Sequence, residues 1–365
     1  MNYFQRYVSN TAAGSGNQLF FRNPDPEKLL VGRVYYKLTA GGEYEYSFLF
    51  SNLLDSTYDH GDIGVRNMIC DAWKLCSVRV GVTADCVPEH SESRDFSELT
   101  FGNSASREVA PGEFFTSDPI RLSAEKGAYL CLEYSFCGAQ IPYHEERIIP
   151  AFRLENGVWV DSSQVPFVGM VGCNRPVRCR IAFWGDSITQ GIGTERNSYD
   201  HWNARLAEML GDEYSYWNLG LGFGRAEDAA SLGAWFFKAR QVDLAVVCFG
   251  VNDLIQTGDT EQIKKNLKKI VSALKQAGVK VLLQTVPPFD YNEDLTQKWH
   301  EVNRYLREEL CQEADAWFDA AALLQKDAAH PQLAKYGGHP DAEGCLEWAR
   351  ALYPVIKKVL QAYQR

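Results

Sequence analysis

The chain has 365 residues, with 47 acidic against 37 basic side chains and a formal net charge of −10. An acidic chain without a basic stripe is a poor match for nucleic acid or an anionic membrane surface. No apolar run reaches the length of a membrane span, and the length allows two domains.

The first half reads as β structure. Val31–Tyr36, Tyr44–Phe50, Val78–Val82, Ile120–Leu122 and Tyr129–Tyr134 alternate with period two. Turn clusters separate them: Gly41-Gly42, Asp59-His60-Gly61-Asp62, Pro111-Gly112 and Ser117-Asp118-Pro119. Short strands with frequent turns predict an all-β sandwich of jelly-roll-like type. Residues 150–176, with Asn156-Gly157 and Pro166, read as a connecting segment. Domains are expected at 1–170 and 171–365.

From Val177 the pattern alternates strand and helix. Strands are predicted at 177–184, 214–219, 242–249, 279–286 and 316–318. Helices are predicted at 199–210, 226–240, 260–277, 294–311 and 341–363. Such alternation implies parallel βαβ units, with ligands bound at the carboxyl edge of the sheet.

The opening Met1-Asn2-Tyr3-Phe4-Gln5-Arg6 lacks the regions of a signal peptide. A cytoplasmic location is therefore expected, or a secreted one if a leader has been trimmed. Ten cysteines occur without a C-x-x-C pair or zinc spacing. Three pairs stand six apart (Cys70 and Cys76, Cys131 and Cys137, Cys173 and Cys179), on one face of a strand. Reduced core thiols are expected, and no metal.

Four blocks sit at predicted strand ends. Gly185-Asp186-Ser187 puts a hydroxyl at a strand-to-helix turn, where it needs a base and oxyanion donors to act as a nucleophile. Asn218-Leu219-Gly220-Leu221-Gly222-Phe223-Gly224-Arg225 is a glycine-rich turn whose backbone can approach a ligand closely; its spacing is not that of a dinucleotide fingerprint. Gly250-Val251-Asn252-Asp253 offers a side-chain amide, with an Asx-turn or helix cap as its plainer role. His339-Pro340-Asp341-Ala342-Glu343-Gly344 offers a base just before the last helix. His330, in Asp327-Ala328-Ala329-His330-Pro331, is the competing histidine.

These blocks, in this order, resemble the GDSL esterase family, also called the SGNH hydrolases, over about 177–365. Ser187 matches the nucleophile, Gly222 or Gly224 the glycine of the second block, Asn252 the asparagine and His339 the histidine. Thr285-Val286-Pro287-Pro288 resembles the family's fourth strand end. The resemblance implies a flavodoxin-like three-layer α/β domain with a parallel sheet, and ester hydrolysis without a metal or cofactor. It further implies an oxyanion hole made by the Ser187 N–H, Gly222 or Gly224, and Asn252. Leu99-Thr100-Phe101-Gly102, Val109-Ala110-Pro111-Gly112 and Ser117-Asp118-Pro119-Ile120 resemble the β-sandwich that precedes this domain in some bacterial members. Many of those are similar to carbohydrate acetylesterases.

The chain departs from the family twice. Tyr336 stands where the family has an aspartate three residues before the histidine. A backbone carbonyl could orient His339 instead; Asp341 could turn back, against its role as helix N-cap; Asp327 belongs with His330. Five residues after Asn218 stands Phe223 rather than glycine, and its N–H could serve as donor.

The expected function is a serine esterase on short-chain esters, acetylated carbohydrate above all, with a small-molecule or oligosaccharide ester as partner and neither nucleic acid nor membrane. The alternatives are a lipase or thioesterase on longer acyl chains, or a degenerate hydrolase that binds glycan through aromatics such as Trp73. The sequence carries no signal of oligomeric state.

Overall fold

The computed structural model describes residues 2–363 except 15, 56–57, 60–61, 64–67, 92–95 and 145–147. The predicted turn at His60-Gly61 lies outside the described residues. The chain divides into two compact units, Met1–Pro176 and Val177–Arg365.

The first unit is built of antiparallel strands. One sheet pairs Tyr129–Gly138 with Leu30–Lys37 on one side and Trp73–Thr83 on the other. Another pairs Gly42–Ser51 with Phe114–Thr116, Ile120–Ala124 and Met170–Cys173. Phe50 of the second sheet stacks on Phe115 at 5.1 Å and meets Tyr134 of the first edge-on at 6.4 Å. Side chains from two sheets thus share one aromatic core, as in a sandwich.

The segment 150–176 is not a connector. Ala151–Glu155 and Val158–Asp161 form a hairpin on the edge of the first sheet. Asn156 and Gly157 turn it with φ of 51° and 80°, and that left-handed pair matches the twist of the strands it joins. Met170–Cys173 pairs with Gly42–Ser51, which is why the division falls at 176/177.

The second unit is a doubly wound α/β domain. Its strands are β1 (Cys179–Gly185), β2 (Tyr214–Asn218), β3 (Leu244–Cys248), β4 (Lys280–Gln284) and β5 (Ala316–Phe318). They pair in the order β2-β1-β3-β4-β5, all parallel. That is the flavodoxin-like order, with its switch point between β1 and β3. The central strand β3 is buried at every position, because helices cover both faces of such a sheet.

The helices are α1 (Ser187–Gln190), α2 (Trp202–Leu210), α3 (Ala226–Ala230), α4 (Ala234–Ala239), α5 (Val251–Gln256), α6 (Thr260–Gln276), α7 (Glu293–Glu308), α8 (Ala320–Leu324) and α9 (Ala342–Leu360). In α6, Asp259 caps the start through Gln262 N–H at 3.0 Å, and Ile263, Leu267, Ile270, Val271 and Leu274 make the buried stripe. Two sequence expectations need correction. The single helix expected over 226–240 is two, broken at Leu232, whose φ is 60°. The helix expected from Tyr199 starts at Trp202, because Tyr199 also has a positive φ, 54°.

All ten cysteines are free thiols. The close pair is Cys76 and Cys137, 3.9 Å apart on neighbouring strands. Trp73 is core, donating to Asn52 Oδ1 at 3.0 Å, and presents no aromatic face to a glycan.

Candidate active site

Ser187, Asn252 and His339 follow β1, follow β3 and precede α9, so the sheet sends all three toward its carboxyl edge. Each is half-buried while its chain neighbours Asp186, Ile188, Val251, Asp253 and Pro340 are buried. The backbone is anchored and the reactive side chain emerges. Ser187 Oγ lies 2.8 Å from His339 Nε2, a hydrogen bond that joins positions 152 residues apart.

Ser187 opens α1. Asp186 is that helix's N-cap and accepts Ile188 N–H at 3.0 Å. Asp186 is fully buried, and desolvation pushes its carboxyl up to about 7. His339 is shifted below its ordinary 6.5 by burial. A neutral imidazole beside the hydroxyl is the state a general base requires. Its ring stands edge-to-face on Phe289 at 5.3 Å.

Among the described residues no carboxylate bonds to the other ring nitrogen of His339. Tyr336, at the family's acid position, donates its hydroxyl to Glu347 on α9. Its carbonyl accepts Asp341 N–H at 3.3 Å, which closes the loop that carries His339. Asp341 caps α9 through Gly344 N–H at 2.9 Å. His330 bonds to Asp327 at 3.1 Å on an exposed turn. Ser187 and His339 therefore stand as a hydrogen-bonded hydroxyl–imidazole pair.

The glycine-rich loop is pressed against α1. A Cβ on Gly220 would lie 2.1 Å from Gln190 N, so no other residue fits there. Leu219 N–H donates to Phe183 O at 2.8 Å and Leu221 N–H to Gly185 O at 3.1 Å, which stitches the loop to β1. Gly224 N–H donates to Leu221 O at 3.1 Å. This corrects the expectation that Gly224 supplies an oxyanion donor: its N–H closes the turn, and its carbonyl holds Asn252 Nδ2 at 3.0 Å. Gly222 and Phe223 form the tip of that turn. The amide of Asn252 carries two N–H groups, and fixing one on Gly224 sets the plane of the other.

The comparisons with known proteins match the second of the two units. The pattern of the GDSL-like Lipase/Acylhydrolase family matches residues 183–345. These residues form a GDSL-like lipase/acylhydrolase domain. The chain is similar to an acetylxylan esterase from Xylanibacter ruminicola, 26% identical over 253 residues, which cover 60% of this chain and 49% of that protein. It therefore spans about half the length of the curated relative it matches. A solved carbohydrate acetylesterase family member from Sinorhizobium meliloti aligns at TM-score 0.43 and 20% identity, over 50% of this chain and 99% of its own. A psychrotrophic esterase from Pseudoalteromonas aligns at TM-score 0.38 and 15% identity, over 50% and 98%.

Several supports of this GDSL-like site were not named from sequence. Asp253, next to Asn252, accepts Ala226 N–H at 2.8 Å and Glu227 N–H at 3.2 Å. It fastens the start of α3 directly after the glycine-rich loop. Its place in Gly-x-Asn-Asp was the available signal. Phe289, beyond Pro287-Pro288, and Gly193 had none. A Cβ on Gly193 would lie 2.7 Å from His339 O, a closeness that only folding reveals. Among the described residues no cluster of three or more His, Cys, Asp or Glu side chains could hold a metal ion.

Proposed function

We propose that the protein is a serine esterase that hydrolyses short-chain carboxylic esters, acetyl esters of carbohydrate in particular. The observation that carries this is the 2.8 Å bond between Ser187 Oγ and His339 Nε2 at the carboxyl edge of a parallel sheet. In this reading Ser187 Oγ attacks the acyl carbon while His339 Nε2 takes its proton. The carbonyl oxygen becomes an oxyanion. It accepts hydrogen bonds from the Ser187 N–H, the Asn252 amide and the loop tip at Gly222 and Phe223. His339 returns the proton to the departing alcohol. Water then attacks the acyl-serine by the same proton path and releases the acid.

The acetylxylan esterase relative supports the acetyl end of this reading. The test is hydrolysis of p-nitrophenyl esters from C2 to C8 by the wild type and Ser187→Ala. The proposal expects the highest kcat/KM at C2 and loss of nearly all activity in the variant. Equal rates for the two proteins would reject it, and a rise toward C8 would reject the short-chain preference.

A further inference from the structure

We propose that Phe289 is a positioning residue for the base: its ring holds the His339 imidazole in the plane that receives the Ser187 proton, the task a carboxylate performs in a triad. The inference rests on the esterase reading and deepens it.

A hydrogen bond at one imidazole nitrogen places that atom but leaves the ring free to swing about it. In a triad the second fixed point is a carboxylate on the far nitrogen. Here Ser187 Oγ meets Nε2 at 2.8 Å, and among the described residues no carboxylate bonds to the far nitrogen. The second partner of the ring is Phe289, edge-to-face, with centroids 5.3 Å apart and planes at 80°. Aromatic rings prefer this arrangement because the positive edge of one meets the negative face of the other. Turning either ring forfeits it.

The fold holds Phe289 in place for this. The residue follows Pro287-Pro288, both buried, just beyond β4, and the proline rings fix the backbone that leads to it. Tyr291 tilts against it at 6.4 Å and is itself packed on Trp299 of α7 at 6.0 Å. A Cβ on Gly338 would stand 2.9 Å from the Phe289 ring, so a glycine directly before His339 is what lets the ring come so close. Asp290 accepts Ala334 N–H at 2.9 Å, a second tie between the same two segments. The backbone of His339 is confined separately, by the close approach of Gly193 to its carbonyl.

The titratable groups on the elements around the imidazole are engaged elsewhere. Asp186 caps α1, Asp341 caps α9, and Tyr336 donates to Glu347, which Lys335 also meets at 3.2 Å. What lowers His339 is burial, and the Phe289 ring is part of its cover.

The test measures kcat and KM for p-nitrophenyl acetate across pH in the wild type, Phe289→Leu, Phe289→Tyr and Phe289→Ala. Leucine keeps apolar bulk without the ring, and tyrosine keeps the ring. Phe289→Met serves where a melting curve shows the leucine variant unfolded. In Phe289→Leu kcat is expected to fall about tenfold with KM within about twofold, whereas Phe289→Tyr should stay within about twofold of the wild type in both. In Phe289→Ala water reaches the imidazole, so the acid limb of the kcat/KM profile should move up toward 6.5. NMR titration of the His339 ring reads the same shift without turnover. A wild-type kcat in the leucine variant overturns the inference, and so does a loss that tyrosine shares equally. A loss confined to KM also overturns it, by making the ring a substrate contact, as does an unmoved His339 titration in Phe289→Ala. Wild-type protein that leaves p-nitrophenyl acetate intact sinks the esterase reading, and this inference with it. An active wild type beside an unaffected leucine variant sinks the inference alone.

Discussion

At the residue scale the proposed reactive pair is a hydroxyl and an imidazole, and among the described residues no carboxylate bonds to the far nitrogen of that imidazole. Burial lowers His339 below its ordinary value. A general base works in its neutral form. The kcat/KM of a neutral ester should therefore fall as pH drops through the lowered imidazole value and stay flat above it. An inflection above 6.5 in the pH profile would contradict this. The missing acid gives a sharper test. In a triad, neutralising the aspartate costs about 10⁴ in rate. Here Asp327→Asn and Asp341→Asn should each leave kcat within about threefold, since neither residue orients the base and asparagine caps a helix as well as aspartate. A loss of a hundredfold or more in either variant would identify the acid that this geometry lacks. The sequence raised this question at Tyr336. It could not answer it, because the partner of the Tyr336 hydroxyl, Glu347, lies on the next element.

At the scale of elements, α5 organises the glycine-rich loop from behind. Asn252 holds the Gly224 carbonyl, and Asp253 holds the two N–H groups that begin α3. Both ends of one turn hang on consecutive residues. Asp253→Asn keeps the volume but can accept through only one oxygen, so one of the two N–H groups loses its partner. The loop would then loosen where the oxyanion forms, with kcat expected to fall about 10–100-fold and KM to change less. Steady-state kinetics on p-nitrophenyl acetate checks this; a variant with wild-type kcat would show that Asn252 alone holds the loop. The same elements show what a sequence can reveal. Gly-Asp-Ser, Gly-Val-Asn-Asp and His-Pro were legible because each is a local block at the end of an apolar run. The break at Leu232 was not, since residues 226–240 keep helical spacing through it. The hairpin at 151–161 was hidden for another reason. Its Asn156-Gly157 signal was on view, but its partner strand, Leu30–Lys37, lies over a hundred residues earlier.

At the scale of the whole molecule, the edge that assembles the site also buries two carboxyl groups. Asp186 is pushed up to about 7 and Asp253 to about 6, each chiefly by desolvation. A carboxyl raised in the folded state binds protons that the unfolded state has released, so stability falls as pH rises between the unfolded value and the folded one. For Asp186 that window runs from 3.8 to about 7. Two effects compete at this residue. Its cap on α1 is worth about 1 kcal/mol, whereas a shift of this size corresponds to about 2–4 kcal/mol against the charged form. Desolvation wins, and asparagine retains the cap. Asp186→Asn should therefore match the wild type in urea unfolding near pH 4, gain steadily as pH rises through the window, and hold a constant advantage of about 2–4 kcal/mol above it. Tryptophan fluorescence follows the transition, since Trp184, Trp202 and Trp235 are buried around this sheet. Curves that run parallel from pH 4 to 8 would mean that Asp186 is ionised in the fold throughout. The charge beside Ser187 would then be held by hydrogen bonds rather than opposed by burial.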